Sequence, residues 1–387
     1  MHASARRVGL ALAVLLAASA LFTLRPPGAA ATTNPTWIIQ RTPNRSSDFN
    51  ELTAITTVSA SDAWTVGTFR GPGSPAFKTL VEHFDGTSWR AFQSPNVGAS
   101  NNELNAVAAD SSNNAWAVGF EFNGAAERTL IERWNGRVWS VSSSPNVGSG
   151  NNDLRGVGAI SSSDAWAVGQ STGIVTSTLA EHWNGTAWSI VPSPTPAGGG
   201  FFTSVVGVGS NDVWALGGLG DDGDATLAEH WDGRAWRIVS TPAIPSEAFF
   251  SSAAAVSTSD VWAVGSQGSN TLTEHWNGAA WSIVPSPDPL PTSKGNNFLT
   301  GVTALGASDV WAVGSTLDFT LGELERTVTE HWDGTAWSVV ASPNQGSGSN
   351  LLQGVDSPGG GIVFAAGTFR QGFAGTNRTL VMETTQG

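Results

Sequence analysis

Two residue types that stabilise or equip many exported proteins are missing here: the chain has neither cysteine nor tyrosine. Without cysteine no disulfide can form and no thiolate can hold a metal ion, so stability must come from buried apolar surface and hydrogen bonds. Charged residues are sparse at 13%, and 31 acidic residues outnumber 18 basic ones. An acidic surface of this kind argues against nucleic acid and anionic membranes as partners.

Long apolar runs are also absent, with one exception at the start of the chain. Residues 8–24 are apolar, follow Arg6 and Arg7, and are ended by Pro26 and Pro27 before a small-residue cleavage site at residues 29–31. This pattern predicts that residues 1–31 are an export signal peptide and that the protein is secreted or held at the cell surface. An uncleaved membrane anchor is the alternative. Removal of the segment would leave 15 basic against 31 acidic residues.

The rest of the chain repeats one motif about seven times. Its core reads D-A-W-A-V-G and then T-L-x-E-H-W-(N/D)-G-x-x-W-S, and all 18 tryptophans lie at positions of this motif. The first tryptophans of the copies, 48–53 residues apart, are Trp64, Trp116, Trp166, Trp214, Trp262 and Trp311, with Phe364 in a degenerate seventh copy. A period near fifty without a helix signal is typical of propellers and solenoids made of small sheets.

Each copy divides into four short predicted strands, exemplified by residues 104–109, 164–169, 178–183 and 187–192. Asn-Gly or Asp-Gly joins the third strand to the fourth, which is a strong hairpin signal. Along the second strand Trp166 and Val168 face one way, while Ala165 and Ala167 face the other. We therefore expect stacked sheets in which tryptophan packs against alanine of the next sheet.

The two ends of the chain predict a closed ring. The seventh copy stops after its third strand, residues 379–384, while residues 37–44 match the fourth strand of the sixth copy, residues 337–344. An N-terminal strand that completes the last sheet leaves the ring without an open edge. The predicted fold is all-β: a seven-bladed β-propeller with four antiparallel strands per blade, in a single domain over residues 32–387.

The repeat resembles bacterial secreted propellers of the kelch and galactose-oxidase central-domain type. The likeness rests on D-V-W-A-V-G and E-H-W-D-G-T-A-W-S-V-V and covers residues 36–387. Only Gly217-Gly218 supplies the glycine pair that kelch repeats carry after the second strand. The resemblance implies a fold rather than an activity. Copper-radical chemistry of the galactose-oxidase type and the tyrosine nucleophile of propeller sialidases are excluded by the missing residue types.

Adjacent glutamate and histidine residues at first resemble a catalytic pair. They recur in five copies, as Glu82-His83, Glu181-His182, Glu229-His230, Glu274-His275 and Glu330-His331. Repetition at one fixed place favours a structural role, such as a hydrogen bond between blades, because a catalytic pair needs no copies. The aspartate that opens the second strand, such as Asp164, is predicted to cap a turn or to bond the neighbouring histidine.

Function is predicted where the repeat is broken. Loops between strands one and two, and three and four, are short and uniform, whereas loops between strands two and three, and between blades, are long and varied. In a propeller these two sets lie on opposite faces, so the variable face is the predicted working surface. The residues predicted to ring the channel mouth on that face are Glu51, Glu103, Asp153, Phe201, Phe249, Phe298 and Leu351.

A mouth with one acidic and one aromatic flank suits a sugar or polyol, because rings stack on C–H faces while carboxylates bond hydroxyls. Arg155 and Asp356 are weaker candidates for lining the channel, and residues 221–224 form an acidic loop that is either a calcium site or a solvated turn. The alternative is that the phenylalanines only plug the channel. The predicted ligand-binding set is Glu51, Glu103, Asp153, Arg155, Phe201, Phe249 and Phe298.

These observations predict a secreted, monomeric, non-catalytic binding module without a cofactor, whose partner is an extracellular glycan or protein. Two alternatives stay open. One is a carbohydrate-active hydrolase or lyase in which Glu103 and Asp153 act as acid and base. The other is a structural protein of the cell surface that assembles through its blade rims.

Overall fold

The computed structural model describes residues 35–372 and 375–385. The predicted signal peptide, residues 1–31, lies outside these ranges. The described residues form seven four-stranded antiparallel sheets, and their single helical element is a 3₁₀ turn at Phe319–Leu321. In this part of the chain no helix has the length and apolar character needed to cross a membrane.

Each of the first six blades uses four consecutive strands, the first lying innermost. Their bounds are β2 (Phe49–Ser59), β3 (Asp62–Arg70), β4 (Lys78–Phe84) and β5 (Trp89–Phe92) in blade 1; β6 (Asn102–Ser111), β7 (Asn114–Phe122), β8 (Glu127–Trp134) and β9 (Trp139–Ser142) in blade 2; β10 (Asn152–Ser161), β11 (Asp164–Thr172), β12 (Thr176–Trp183) and β13 (Trp188–Ile190) in blade 3; β14 (Gly200–Gly209), β15 (Asp212–Leu219), β16 (Ala225–Trp231) and β17 (Trp236–Ile238) in blade 4; β18 (Ala248–Ser257), β19 (Asp260–Gln267), β20 (Asn270–Trp276) and β21 (Trp281–Ile283) in blade 5; and β22 (Gly295–Gly306), β23 (Asp309–Asp318), β24 (Leu324–Trp332) and β25 (Trp337–Val339) in blade 6.

Blade 7 joins the two ends of the described chain. It consists of β26 (Asn350–Gly359), β27 (Ile362–Arg370), β28 (Asn377–Thr385) and β1 (Thr36–Gln40). Strand β1 runs antiparallel to β28, with Trp37 opposite Thr384 and Ile39 opposite Met382. The inner strands of successive blades contact each other around the whole circle, including β26 with β2. The prediction of seven blades closed by the N-terminal strand is confirmed.

The inner and outer strands differ in length from the prediction. The inner strand of blade 2 spans Asn102–Ser111 rather than residues 104–109, while the outer strand of blade 3 spans only Trp188–Ile190. The outer strand is short because only one further backbone bond, from Val191 N to Ala180 O at 2.9 Å, continues the ladder. Pro192 follows and has no N–H to donate.

Tryptophan holds neighbouring blades together. The ring of Trp116 in β7 lies 4.9 Å from Trp183 and 5.0 Å from Trp188 of the next blade, measured between centroids. The same buried cluster contains Ala165 and Ala167 of that blade, as the alternation along the second strand predicts. Edge-to-face and tilted aromatic contacts of this kind add to the free energy of apolar burial. The blade interfaces, rather than a central core, therefore carry most of the apolar packing.

The repeated histidine bonds within its own blade. His182 Nε2 lies 2.8 Å from Asp164 Oδ1, and equivalent contacts of 2.7–2.9 Å occur in blades 1, 4, 5 and 6. The predicted bond between aspartate and histidine is confirmed. The prediction that the glutamate–histidine pair bonds neighbouring blades is wrong for the histidine, because it bonds a strand of its own sheet.

Candidate ligand-binding site

A ring of β-bulges lines the channel. In every blade the register between the first and second strands shifts twice, and at the first shift, just after the predicted mouth residue, two residues of the inner strand oppose one of its partner. The residue at this first shift is called the bulge residue. A bulge re-aims its side chain and bends the strand. The seven bulge residues are Thr53, Asn105, Arg155, Thr203, Ser251, Thr300 and Gln353, and all of them line a cavity of about 160 Å³ in the channel.

Most bulge residues seal one blade to the next. The hydroxyl of Thr53 donates to Val66 O at 3.1 Å in its own blade and to Leu104 O at 2.8 Å in the next. Thr203 and Thr300 make equivalent pairs of bonds. The hydroxyls of these threonines are therefore engaged in hydrogen bonds that hold neighbouring blades together. In blades 2, 3, 5 and 7 the bulge residue is not threonine.

Each predicted mouth residue lies two positions before a bulge residue. Two of the three acids among them, Glu51 and Asp153, accept hydrogen bonds from other side chains. Glu51 Oε1 accepts from Gln353 Nε2 of blade 7 at 2.7 Å. Asp153 Oδ1 accepts from Asn105 Nδ2 at 2.9 Å, and Asp153 Oδ2 from Arg155 Nε at 2.8 Å. Burial raises the pKa of both carboxyl groups, opposed by these partners. Each is thus held by a bulge residue of the preceding blade, and Asp153 also by the arginine of its own blade.

Glu103 is the exception among the three acids. By symmetry its partner would be Thr53, but that hydroxyl bonds two backbone carbonyls instead. No residue in the described ranges donates a hydrogen bond to the Glu103 carboxylate. Partial burial raises its pKa, and the charges of Glu51, Asp153 and Glu127 raise it further. Glu103 is therefore a half-buried acceptor at the mouth without a protein donor.

The aromatic flank is only partly accessible. Phe201 is buried, because the guanidinium of Arg155 lies over its ring at 5.4 Å and Phe249 packs beside it at 6.4 Å between centroids. Phe249 and Phe298 are half-buried. The prediction that Phe201 offers a stacking surface is therefore not supported by its position, since its ring is already covered.

A glycine pair, Gly217-Gly218, lies near the end of β15, the second strand of blade 4, and its second residue makes room for these two rings. A Cβ built on Gly218 would lie 2.8 Å from Phe201 Cζ and 3.1 Å from the Cβ of Phe249. Any larger residue would displace both rings. Gly218 is thus explained by a close approach of side chains, whereas a Cβ on Gly217 would overlap the backbone carbonyl oxygen of Phe201.

Other residues singled out from the sequence have structural roles. Asp356 accepts from the backbone N–H and hydroxyl of Thr57 at 2.7 and 2.9 Å and from Thr303 at 3.3 Å, so it joins blade 7 to blades 1 and 6. The asparagines before the mouth residues are buried and bond their own blade-to-blade loops, as Asn102 does with Val97. Among the described residues no cluster of three or more acidic or histidine side chains is placed to hold a metal ion.

Two residues near the mouth escaped the sequence reasoning. Gln353 and Asn105 occupy the bulge position and donate to the acids of the mouth. The sequence does show that this position of the repeat is polar and varies between blades. It does not show that the strand is bulged there, because the alternation of a regular strand predicts no extra residue. Only Arg155 stood out there, because it is charged.

Comparison with known proteins finds similar folds but no related sequence family. No sequence-family model and no curated protein matches the chain. The structure of YCF48 from Cyanidioschyzon merolae is similar with a TM-score of 0.56 at 16% identity, over 90% of this chain and 98% of that one. YCF48 bound to D1 peptide gives 0.56 at 13% identity, over 90% and 97%. The Aleuria aurantia lectin in complex with Fucα1-6GlcNAc gives 0.50 at 15% identity, over 77% and 97%.

Identities this low show the fold alone. The chain is a seven-bladed β-propeller with solved propeller neighbours. The resemblance to kelch and galactose-oxidase propellers, which no family model supports, stays a prediction.

Proposed function

We propose that this protein is an exported, non-catalytic binding module that holds a carbohydrate at the channel mouth of its variable face. The observation that carries the proposal is the Glu103 carboxylate, which is half-buried and has no hydrogen-bond donor in the described chain. A buried acceptor without a donor costs free energy unless a ligand or water supplies one. Export rests on the signal-peptide pattern, and kinship with kelch-type propellers on the repeat motif.

The chemistry of the mouth favours a polyhydroxylated ligand. Hydroxyl groups can donate to Glu103 at any pH at which this carboxylate is ionised, and the half-buried rings of Phe249 and Phe298 offer apolar faces for sugar C–H groups. Shallow sites with a few polar groups and an aromatic wall suit such ligands. Two of the neighbouring structures are consistent with binding as a task of this fold, since one holds a bound D1 peptide and the other a bound fucosyl disaccharide.

Binding fits the mouth better than acid–base catalysis. In the catalytic alternative Glu103 and Asp153 would exchange protons with a substrate. Asp153, however, is buried and accepts hydrogen bonds from both Arg155 and Asn105. A carboxylate held in this way is not free to accept or deliver a substrate proton, so only one of the two acids is left for chemistry.

The test is a glycan-array screen with the wild-type protein, followed by calorimetry on the best ligand. We expect Glu103→Gln to weaken binding about tenfold or more, since a charge-assisted hydrogen bond is lost. Phe249→Ala should weaken it by a similar factor through the lost ring contact. Glu247→Gln, at an exposed glutamate of a blade-to-blade loop, is the matched control and should bind as wild type. Unchanged affinity in both mouth variants would refute the site.

A protein ligand is a second candidate for the same face. Large apolar side chains stand out on its loops: Ile174 is fully exposed, and Phe319 and Leu321 are each 53% exposed. Exposed apolar groups on a variable loop surface are a feature of protein contacts. A glycan screen without hits, together with capture of a protein that Ile174→Ser and Phe319→Ser no longer bind, would favour this candidate over the first.

A further inference from the structure

A groove runs along the outer rim between blades 1 and 2, far along the sheets from the channel. One wall is the outer strand β5 and the segment after it, with Phe92 and Pro95; the other is the hairpin between β8 and β9, with Trp134, Arg137, Val138 and Trp139. The groove encloses about 490 Å³ and is lined mostly by apolar atoms. We call it the blade 1–2 groove. Its volume falls in the range of small-molecule sites.

The same place in other blades lacks this character. Between blades 2 and 3 the equivalent groove encloses about 320 Å³ and keeps Trp183 and Trp188, but it has Ser142 where Phe92 stands and Ala187 where Val138 stands. Between blades 7 and 1 it is lined by Gln40, Thr42 and Ser88. The repeat therefore supplies each groove with tryptophan, and among these three only the groove between blades 1 and 2 adds a phenylalanine and a valine.

The repeat is broken at the residues that line the blade 1–2 groove. Where Phe92 stands, the other blades have Ser142, Val191, Val239, Val284, Val340 and Gln40. Phe92 is half-buried, with its ring 5.8 Å from Trp134 and 5.2 Å from Trp64. Val138 is 56% exposed, whereas the equivalent residue is alanine or serine in the other five hairpins between third and fourth strands. Phe92 thus packs on the cluster between the two blades and still presents part of its ring to the groove, while Val138 is free of such packing.

The lip of the groove carries a cation without a partner. Arg137 is exposed, and no hydrogen bond or ion pair of its guanidinium occurs within the described ranges. Only its backbone N–H is engaged, with Asn135. Two other exposed arginines bind aspartates, Arg90 with Asp85 and Arg237 with Asp232, whereas Arg234, at the same hairpin position in blade 4, resembles Arg137 in having no side-chain partner among the described residues. A free guanidinium beside an aromatic wall is complementary to a planar ring that bears a carboxylate.

We propose that the blade 1–2 groove is a second binding site, separate from the channel mouth, which takes a small aromatic anion. The ring of the ligand lies between Phe92, Val138 and the edges of Trp134 and Trp139. Its anionic group meets Arg137 at the lip.

The probe is 2-naphthoate, titrated by calorimetry and ligand-observed saturation-transfer NMR against the full-length protein, with the uncharged 2-naphthylmethanol as the matched ligand. We expect saturable binding of 2-naphthoate. Phe92→Ser, which installs the residue of blade 2, should weaken it about tenfold through lost apolar contact. Arg137→Gln should weaken 2-naphthoate about fivefold and leave 2-naphthylmethanol unchanged, since only the charge pair is lost.

Two further variants keep the test decisive. Val138→Glu alters an exposed residue, so the fold is retained, and it should abolish binding of 2-naphthoate by placing a like charge against it. Thr186→Ala, in the groove between blades 2 and 3, should bind as wild type. The proposal is overturned if the wild type shows no saturable binding up to the solubility limit, or if Phe92→Ser and Val138→Glu both bind normally. Equal affinity for the charged and uncharged ligands would overturn its anionic part.

Discussion

Adjacent residues of a strand face opposite sides of a sheet, and this decides what the glutamate–histidine pairs do. His182 turns toward the Asp164 side of its blade and bonds it. Glu181 turns the other way, into the buried interface, where neither carboxylate oxygen has a partner among the described residues. The two side chains therefore cannot act as one unit. Among the equivalent glutamates of the described blades, only Glu132 of blade 2 differs, because its carboxylate accepts a hydrogen bond from the Ser94 hydroxyl at 2.7 Å.

The buried glutamates predict a stability that falls with rising pH. Burial raises the pKa of Glu132, Glu181, Glu229, Glu274 and Glu330 to about 8. In the unfolded chain these carboxyl groups ionise near their ordinary pKa of 4.5, while the folded protein keeps their protons. The stabilising contribution is therefore full below pH 4.5 and is lost as the pH rises toward 8, by at most about 1.4 kcal/mol per pH unit for each group.

Denaturant unfolding between pH 4.5 and 8 measures this loss. Glu181→Gln keeps the shape of the side chain but cannot ionise, so its unfolding free energy should decline less steeply than that of wild type. Glu247→Gln, at an exposed position, should follow the wild-type curve. A free energy of unfolding that rises over this interval would contradict the assignment of neutral carboxyl groups to the blade interfaces.

At the scale of the strand, the bulge and the glycine opposite it act together to place the mouth residue. The glycine that ends D-A-W-A-V-G faces the residue before the bulge. A Cβ built on Gly169 would overlap the carbonyl oxygen of Asp153, and each of the other six blades shows the same close approach. Glycine is required there because the backbones meet too closely for any side chain. This approach sets the position of the mouth residue itself.

Gly169→Ala should therefore affect both stability and the mouth. Overpacking at such a contact costs about 1–3 kcal/mol, and the shift of β10 would move Asp153 away from Asn105. The measurement is the unfolding midpoint, together with the affinity for the mouth ligand. Gly198→Ala is the matched control, because a Cβ there meets nothing within 4 Å. Equal stability of the two variants would show that the inner strand yields without strain.

At the scale of the molecule, closure depends on one short strand. Trp37 of β1 is 3% exposed and packs edge-to-face on Trp311 at 5.7 Å. Five other interfaces set two tryptophans of one blade against a tryptophan of its neighbour. The interface between blades 6 and 7 has a single tryptophan against Trp311, because Thr384 takes the place of the second. The closing interface is thus the least aromatic of those built on a tryptophan of the second strand.

Trp37→Ala should loosen the ring as well as destabilise it. Truncation of a buried tryptophan costs about 3–5 kcal/mol, and loss of β1 would expose the edge of β28. Unfolding curves and limited proteolysis near residues 35–45 provide the measurement, with Ile38→Thr, at a residue 40% exposed, as the control on the same strand. Resistance to proteolysis equal to wild type would contradict a closing role for this strand.

The sequence by itself determined the repeat, the count of seven blades, the strand order and the closing strand, because these follow from the spacing of tryptophans and from hairpin signals, both of which are local. It also placed Glu51, Glu103 and Asp153 in one arc, since neighbouring blades must carry neighbouring residues. Only the tertiary structure decided which of them is free: the bulges turn Gln353 and Asn105 toward two acids and Thr53 away from the third. It also decided that Phe201 is covered and that Phe92 and Val138 line one groove across a blade boundary. The reason is that contacts between separate strands depend on register and bulges that no single strand encodes.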